Sequence, residues 1–276
     1  MGLTKIQVVL ALCCLVAAMS QATPRHSHTT PREWWENTVY YQIYPRSFQD
    51  STGNGVGDLI GIRDRLQHLA DMGIKATWLS PIFESPMVDF GYDISNFRKI
   101  DPIFGTMEDF EALLAEGKRL GIRIILDMVP NHTSDLHEWF IKSENREAGF
   151  EDFYVWRDSA VAGEIVPPNN WVSVFSGPAW TWSEKRQQFY YHQFAYQQPD
   201  LNFRNPDVVK EITDTLFFWI EKGVSGFRID AINHLFEDEE LRDDIFLGPD
   251  PMNHDHFDHP HTKDQVCFAS ISIFSS

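Results

Sequence analysis

Blocks of hydrophobic and polar positions alternate along the chain with two different periods. Val39 to Phe48 begins aromatic and β-branched and predicts a strand. Leu59, Ile62, Leu66 and Leu69 then recur at helical spacing, and Gly73 ends that run. Ala76 to Phe83 predicts a second strand. Thr106 suits a helix N-cap, with Asp109 three residues on. Phe110, Leu113, Leu114 and Leu120 follow on one face, Lys118 and Arg119 fall in the last turn, and Gly121 comes after it. Ile122 to Val129 is a near-continuous apolar run, as a strand buried on both faces requires. Asn205-Pro206 opens a helix that runs to about Lys222 and stops at Gly223, and Phe227 to Ile232 predicts a fourth strand.

Strand, helix, strand in succession is the pattern of βαβ units and a parallel sheet. The stretch 132–204 interrupts it. That stretch is rich in Trp, Tyr, Asn, Pro and Gly, has little periodicity, and is far too long for a simple loop. It is expected to be a small subdomain inserted between the third strand and the next helix. The segments 33–131 and 205–265 are then the two parts of one sheet-and-helix domain.

Composition narrows the picture further. Hydrophobic residues make up 43% of the 276 positions, which suits a globular chain with a sizeable core. The formal net charge of -17 argues against a nucleic-acid partner, because phosphate binding needs clustered Lys and Arg. Residues 1–22 combine Lys5, the apolar run Ile6 to Ala18 and small residues around Ser20 and Ala22, which predicts a secretory signal peptide and an extracellular location. That run is too short to span a bilayer comfortably, and no later stretch is longer, so no transmembrane span is expected. Residues 23–32 read as a mobile leader. Cys13 and Cys14 leave with the signal, so Cys267 has no partner for an intrachain disulfide.

Three segments carry chemistry. Ile124 to His132 places Asp127 and His132 around the end of a buried strand. Gly226-Phe227-Arg228-Ile229-Asp230-Ala231 places Arg228 and Asp230 two apart, hence on one face of a strand. An arginine there favours the ionised carboxylate, and an ionised carboxylate can act as a nucleophile, although the pair taken alone reads more readily as a structural ion pair. Gln198-Pro199-Asp200-Leu201-Asn202 is a polar turn just before a helix.

In this order and at these strand ends, the three segments resemble the signature regions of glycoside hydrolase family 13, the α-amylase family. Val39 to Phe48, Asp89-Phe90-Gly91-Tyr92-Asp93 and Gln198 to Asn202 are similar to its α-glucosidase and oligoglucosidase branch, of the kind found in insect maltases. The resemblance runs from about Trp34 to Gln265. It implies a (β/α)8 TIM barrel with a subdomain inserted after strand 3. It implies that Asp230 is the catalytic nucleophile, that Arg228 holds it, and that Asp127 orients that arginine. It makes Asp89, Tyr92 and His132 contacts to a terminal glucose, with Phe175 and Gln198 as further substrate contacts. The implied reaction is retaining hydrolysis of α-linked oligosaccharides such as maltose or sucrose, with a second carboxyl roughly 5 to 5.5 Å from the nucleophile acting as acid and then base. The small residue Ala231 after the nucleophile suggests α-1,4 over α-1,6 linkages.

Asp50 to Asp58 sets oxygen-bearing side chains at every second residue, like the start of an EF-hand, but Gly61 stands where the bidentate glutamate would be. In related α-glucosidases this loop after the first strand holds calcium or magnesium. The resemblance assigns Asp50, Thr52, Asn54 and Asp58, with the Val56 carbonyl, as ligands of a structural ion. The His- and Asp-rich run Asn253 to His261 shows no helical pairing and is expected to be a solvated loop.

The sequence also departs from the family. Only four barrel strands are legible, and the family's general-acid glutamate follows a fifth. The similarity fades after Gln265, and 266–276 reads as an aberrant tail. The chain is therefore expected to be a barrel truncated after about four strands and to have little hydrolase activity. A non-catalytic, sugar-binding or receptor-like homologue is the alternative. The presence of Asp127, Arg228 and Asp230 argues for the enzyme.

Overall fold

The computed structural model describes residues 33–261. The expected signal peptide, the leader and the tail 266–276 lie outside the described residues. The chain separates into two units, 1–38 and 39–276. In the first, the described residues form one 3-10 turn, Trp34–Asn37.

The second unit starts with β1 (Tyr40–Ile43) and a single helical turn, α1 (Pro45–Phe48). The expected strand over 39–48 is thus cut short, because Pro45 takes the first helical position and lacks the N–H that a ladder needs. After the Asp50–Asp58 loop come α2 (Leu59–Asp71) and β2 (Ala76–Leu79). A two-residue strand β3 (Phe83–Glu84) and β4 (Asn96–Ile100) form an antiparallel ribbon. The run 76–83 is therefore two strands rather than one, with Pro81 between them. Next are α3 (Met107–Leu120) and β5 (Arg123–Met128). Within 132–204 lie α4 (Glu138–Glu144), β6 (Trp156–Arg157), β7 (Trp180–Ser183) and β8 (Gln188–Tyr191). The chain continues with α5 (Pro206–Lys222) and β9 (Phe227–Ile229), and ends its described part in the two-residue strands β10 (Ile245–Phe246) and β11 (Phe257–Asp258).

Strands β1, β2, β5 and β9 make one parallel sheet in that order. This is the expected four-strand arc of a (β/α)8 barrel, with helices as crossovers. Its core holds Leu59, Ile62, Leu66 and Leu69 of α2, Phe110 and Leu113 of α3, and Trp219 of α5, all fully buried. The Trp219 ring stacks on Phe83 with centroids 5.0 Å apart, and its indole N–H donates to the Phe97 carbonyl at 2.8 Å. Every residue of β5 from Ile124 to Met128 is buried, Asp127 included, as its near-continuous apolar pattern predicts. β6, β8 and β7 form a separate antiparallel sheet, whose aromatic residues Trp180, Phe189 and Tyr191 pack with Trp171 in a second small core. Among the described residues no helix is long and apolar enough to cross a membrane.

Candidate active site

The register of β5 against β9 builds the site. Asp127 stands directly opposite Arg228, and the Asp230 N–H donates to the Met128 carbonyl at 2.9 Å, one step past the last paired residues. Neighbouring parallel strands thus deliver all three charged groups to their carboxyl ends, where barrels of this kind gather chemistry. Arg228 Nη1 lies 3.1 and 3.3 Å from the two oxygens of Asp127 and also donates to Asp230 Oδ1. The guanidinium rests over the Trp78 ring, 5.2 Å from its centroid. Burial pushes the Asp127 carboxyl up to about 7, with Arg228 pulling the other way. Burial also works against the Arg228 charge, but Asp127 and Asp230 outweigh it and raise the arginine's pKa. Ala231 then turns the chain sharply, with φ of 51°, into a 3-10 turn over Ile232–His234.

A second group of side chains lines up beside this cluster. The Tyr92 hydroxyl donates to Asp127 Oδ2 at 3.2 Å. Asp93, fully buried, accepts from Ser85 Oγ and from the Val88 and Asp89 amides, which fixes the turn carrying Asp89 and Tyr92. Gly91 sits in that turn at φ 107°, and a Cβ there would meet Pro81 at 3.2 Å, so the position requires glycine. Gln198 Nε2 lies 2.9 Å from Asp89 Oδ2 and 3.1 Å from His132 Nε2. Burial raises the Asp89 pKa, with the Gln198 bond opposing, and lowers that of His132 to about 3, so the imidazole is neutral. Asp127, Arg228, Asp230 and Tyr92 thus form one polar network and Asp89, His132 and Gln198 a second, and the two meet where the Tyr92 amide donates to the Asp89 carbonyl at 3.0 Å.

Phe175 stands apart from both networks. It is 56% exposed, and its link runs through Phe194, whose ring lies 6.1 Å from Phe175 and 5.1 Å from His132. Phe194, Trp78 and Asp200 were not expected from the sequence. Asp200 does sit within the Gln198 to Asn202 motif: it is buried and accepts from the Gln193 amide and from Asn131 Nδ2, both at 2.9 Å. Asn131 is the acceptor of the only Asn-X-Thr sequon, yet it is 1% exposed with its amide committed to Asp200, so the folded chain offers no room for a glycan there.

The Asp50–Asp58 loop folds around its own oxygens. Asp50 accepts from the amides of Thr52, Gly53 and Gly55, and those bonds, led by Gly55, lower its pKa against the opposing effect of burial. Asn54 Oδ1 accepts from Val56, while Asp58 accepts from Ser51 and caps α2 through Gly61 N. Asp50, Thr52, Asn54 and Asp58 offer oxygen donors only, and the loop holds no basic side chain, so this donor set fits a hard divalent cation. Among the described residues no three His, Cys, Asp or Glu side chains converge as a metal group, and the 253–261 segment instead pairs His259 with Asp244 at 3.0 Å.

The chain belongs to the α-amylase family: the alpha amylase catalytic domain matches residues 42–268. Maltase A2 of Drosophila melanogaster is 57% identical over 93% of this chain and 47% of its own length. The salivary alpha-glucosidase of Aedes aegypti is 50% identical over 86% of this chain and 42% of its own. Among solved structures, the alpha-glucosyl transfer enzyme XgtA superposes with a TM-score of 0.82 at 43% identity, over 88% of this chain and 46% of that one. The chain spans about half the length of the curated relatives it matches.

Proposed function

We propose that this site belongs to an α-glucosidase that releases terminal α-1,4-linked glucose from oligosaccharides such as maltose or sucrose with retention of configuration. The observation that carries the reading is one guanidinium, Arg228, joined at once to Asp127 and Asp230 at the carboxyl ends of adjacent parallel strands. In this reading an Asp230 oxygen attacks the anomeric carbon as the glycosidic C–O bond breaks, giving a glucosyl ester that water then hydrolyses. Arg228 holds the attacking carboxylate, and Asp127 and Trp78 hold Arg228. Tyr92 stacks on the sugar, and Asp89, His132 and Gln198 take its hydroxyls, with Phe175 at the outer rim. The leaving oxygen needs a proton. The family resemblance assigns that donor to a glutamate after a fifth barrel strand, so the 276-residue polypeptide alone is proposed to turn over maltose poorly. The signal-like segment 1–22 supports delivery outside the cell.

Trapping tests the assignment. With 5-fluoro-α-D-glucosyl fluoride, whose leaving group needs no proton, peptide mapping is expected to find the sugar on Asp230 and on no residue of Asp230→Asn. A label on another residue, or none, defeats it.

Calcium or magnesium is proposed to bind Asp50, Thr52, Asn54, Asp58 and the Val56 carbonyl, tying α1 to the start of α2. Because an ion that binds only the folded state stabilises it by mass action, chelation is expected to lower Tm by several degrees, and Asp50→Asn to remove that response. A wild-type Tm indifferent to chelator, with no metal by elemental analysis, refutes the site.

A further inference from the structure

A cavity of about 400 Å³ opens within the 132–204 segment, inside the ordinary size range of small-molecule sites, roughly 300 to 1,000 Å³. Phe175, Phe194 and Tyr196 form its aromatic walls, and Thr181, His192 and Gln197 its polar ones. Phe175 and Tyr196 are 56% and 57% exposed, so two aromatic faces stand in water beside a ready-made concavity.

The lining selects a ligand class. It contains no Asp, Glu, Lys or Arg, and burial lowers the His192 pKa to about 4, so near neutral pH the wall carries no formal charge. A neutral ligand fits it better than an ion. The hydrogen-bond pattern is equally directive. His192 Nδ1 lies 2.9 Å from the Phe194 carbonyl, which only accepts, so the ring proton sits on Nδ1. His192 Nε2, 3.0 Å from Thr181 Oγ1, is then an acceptor, and the Thr181 hydroxyl donates to it. Thr181 Oγ1 also bonds the Tyr190 phenol across the ladder, which leaves one lone pair to accept from an incoming hydroxyl. Gln197 and Tyr196 add an amide and a phenol at the rim. Electron-rich ring faces beside uncharged donors and acceptors complement a pyranose, which presents C–H faces and O–H edges.

This cavity is separate from the carboxylate cluster. Asp127, Arg228, Asp230, Asp89 and Gln198 do not line it, and Phe194 stands as the partition, with its ring 5.1 Å from His132 and 5.5 Å from His234. We propose that it is a second carbohydrate-binding site, taking a glucosyl unit of a neutral oligosaccharide independently of the unit held at Asp230. The choice of glucose rests on the proposed function, but binding here needs none of its chemistry.

Maltotriose is the probe, titrated to millimolar concentration by calorimetry into the full chain and into an Asp89→Asn/Asp230→Asn double variant that disables the catalytic pocket. Binding is expected to persist in the double variant and to weaken there about tenfold or more with Tyr196→Ala and with Thr181→Val. Thr181→Val keeps the side-chain shape, and circular dichroism reports the fold of both. Binding lost in the double variant, binding indifferent to both substitutions, or no binding to either protein overturns the proposal. Failure of the proposed reaction is read elsewhere, as the absence of a label on Asp230.

Discussion

Neutral imidazoles inside this fold couple its stability to acid. His137 is the clearest instance: it is 4% exposed, packs against Trp139 at 4.4 Å between ring centroids, and accepts the Trp139 amide on Nδ1 at 3.1 Å to cap α4. Burial, aided by Lys142, lowers its pKa to about 3. A depressed histidine favours folding above its unfolded value near 6.5, and that contribution drains away as pH falls from there toward about 3, because only the unfolded chain takes up the proton. The His137→Asn variant keeps an acceptor at the cap and does not titrate. The wild type is therefore expected to lose stability relative to that variant by roughly 1.4 kcal/mol per pH unit below about 6.5. Urea midpoints of both proteins at pH 7 and pH 5 check this, and parallel midpoints contradict it. The comparison is a difference because raised carboxyls such as Asp127 and Asp200 bend the pH profile the opposite way and cancel between the two proteins.

At the scale of elements, local chemistry sets the boundaries. Thr106 and Asp109 close a reciprocal capping box on α3, with Thr106 Oγ1 accepting the Asp109 amide at 3.2 Å and Asp109 Oδ2 accepting the Thr106 amide at 2.9 Å. Thr106→Ala is expected to cost about 1 kcal/mol with little structural change, seen as a lower urea midpoint at unchanged slope. An unchanged midpoint would mean the cap is idle. Such signals made α2, α3 and α5 legible in the sequence, down to Gly121 and Gly223 in left-handed conformation at the ends of α3 and α5. β5 was equally legible, since a fully buried strand writes itself as an apolar run. The edges were not. β4 (Asn-Phe-Arg-Lys-Ile) shows only Phe97 and Ile100 to the core, a three-residue spacing that reads as helical, and it is extended because β3 lies opposite it. The same holds inside the site. Asp127, Arg228 and Asp230 announce themselves as charges on or beside strands. Phe194 and Trp78 do not, because an aromatic residue that walls a pocket has the same local pattern as one that fills a core.

For the whole molecule, the disposition of acids decides what chemistry is open to it. Arg228 binds Asp230 and Asp127 together, and Asp89 is held by Gln198, so the proposed function assigns the carboxylates gathered here to attack and recognition. β9, which brings Arg228 and leads into Asp230, pairs with β5, and no further described strand pairs with it. Under the proposed function, with Asp230 as nucleophile and no glutamate acid among the residues gathered at it, the site should discriminate among substrates by leaving group. Fluoride departs without protonation, whereas the sugar oxygen of maltose leaves as a strongly basic alkoxide unless an acid meets it, and such acid assistance is typically worth 10²–10⁴-fold. The purified 276-residue protein is therefore expected to open α-glucosyl fluoride at a measurable rate, to leave maltose nearly untouched, and to lose the fluoride reaction in Asp230→Asn. Its rate on the fluoride should stay flat on the alkaline side, where an enzyme with its own acid loses its rate on maltose as that acid ionises. If maltose instead turns over within about tenfold of the fluoride, a proton donor is present within these 276 residues, and Asp89, whose carboxyl burial already holds above its ordinary pKa, becomes the first residue to replace.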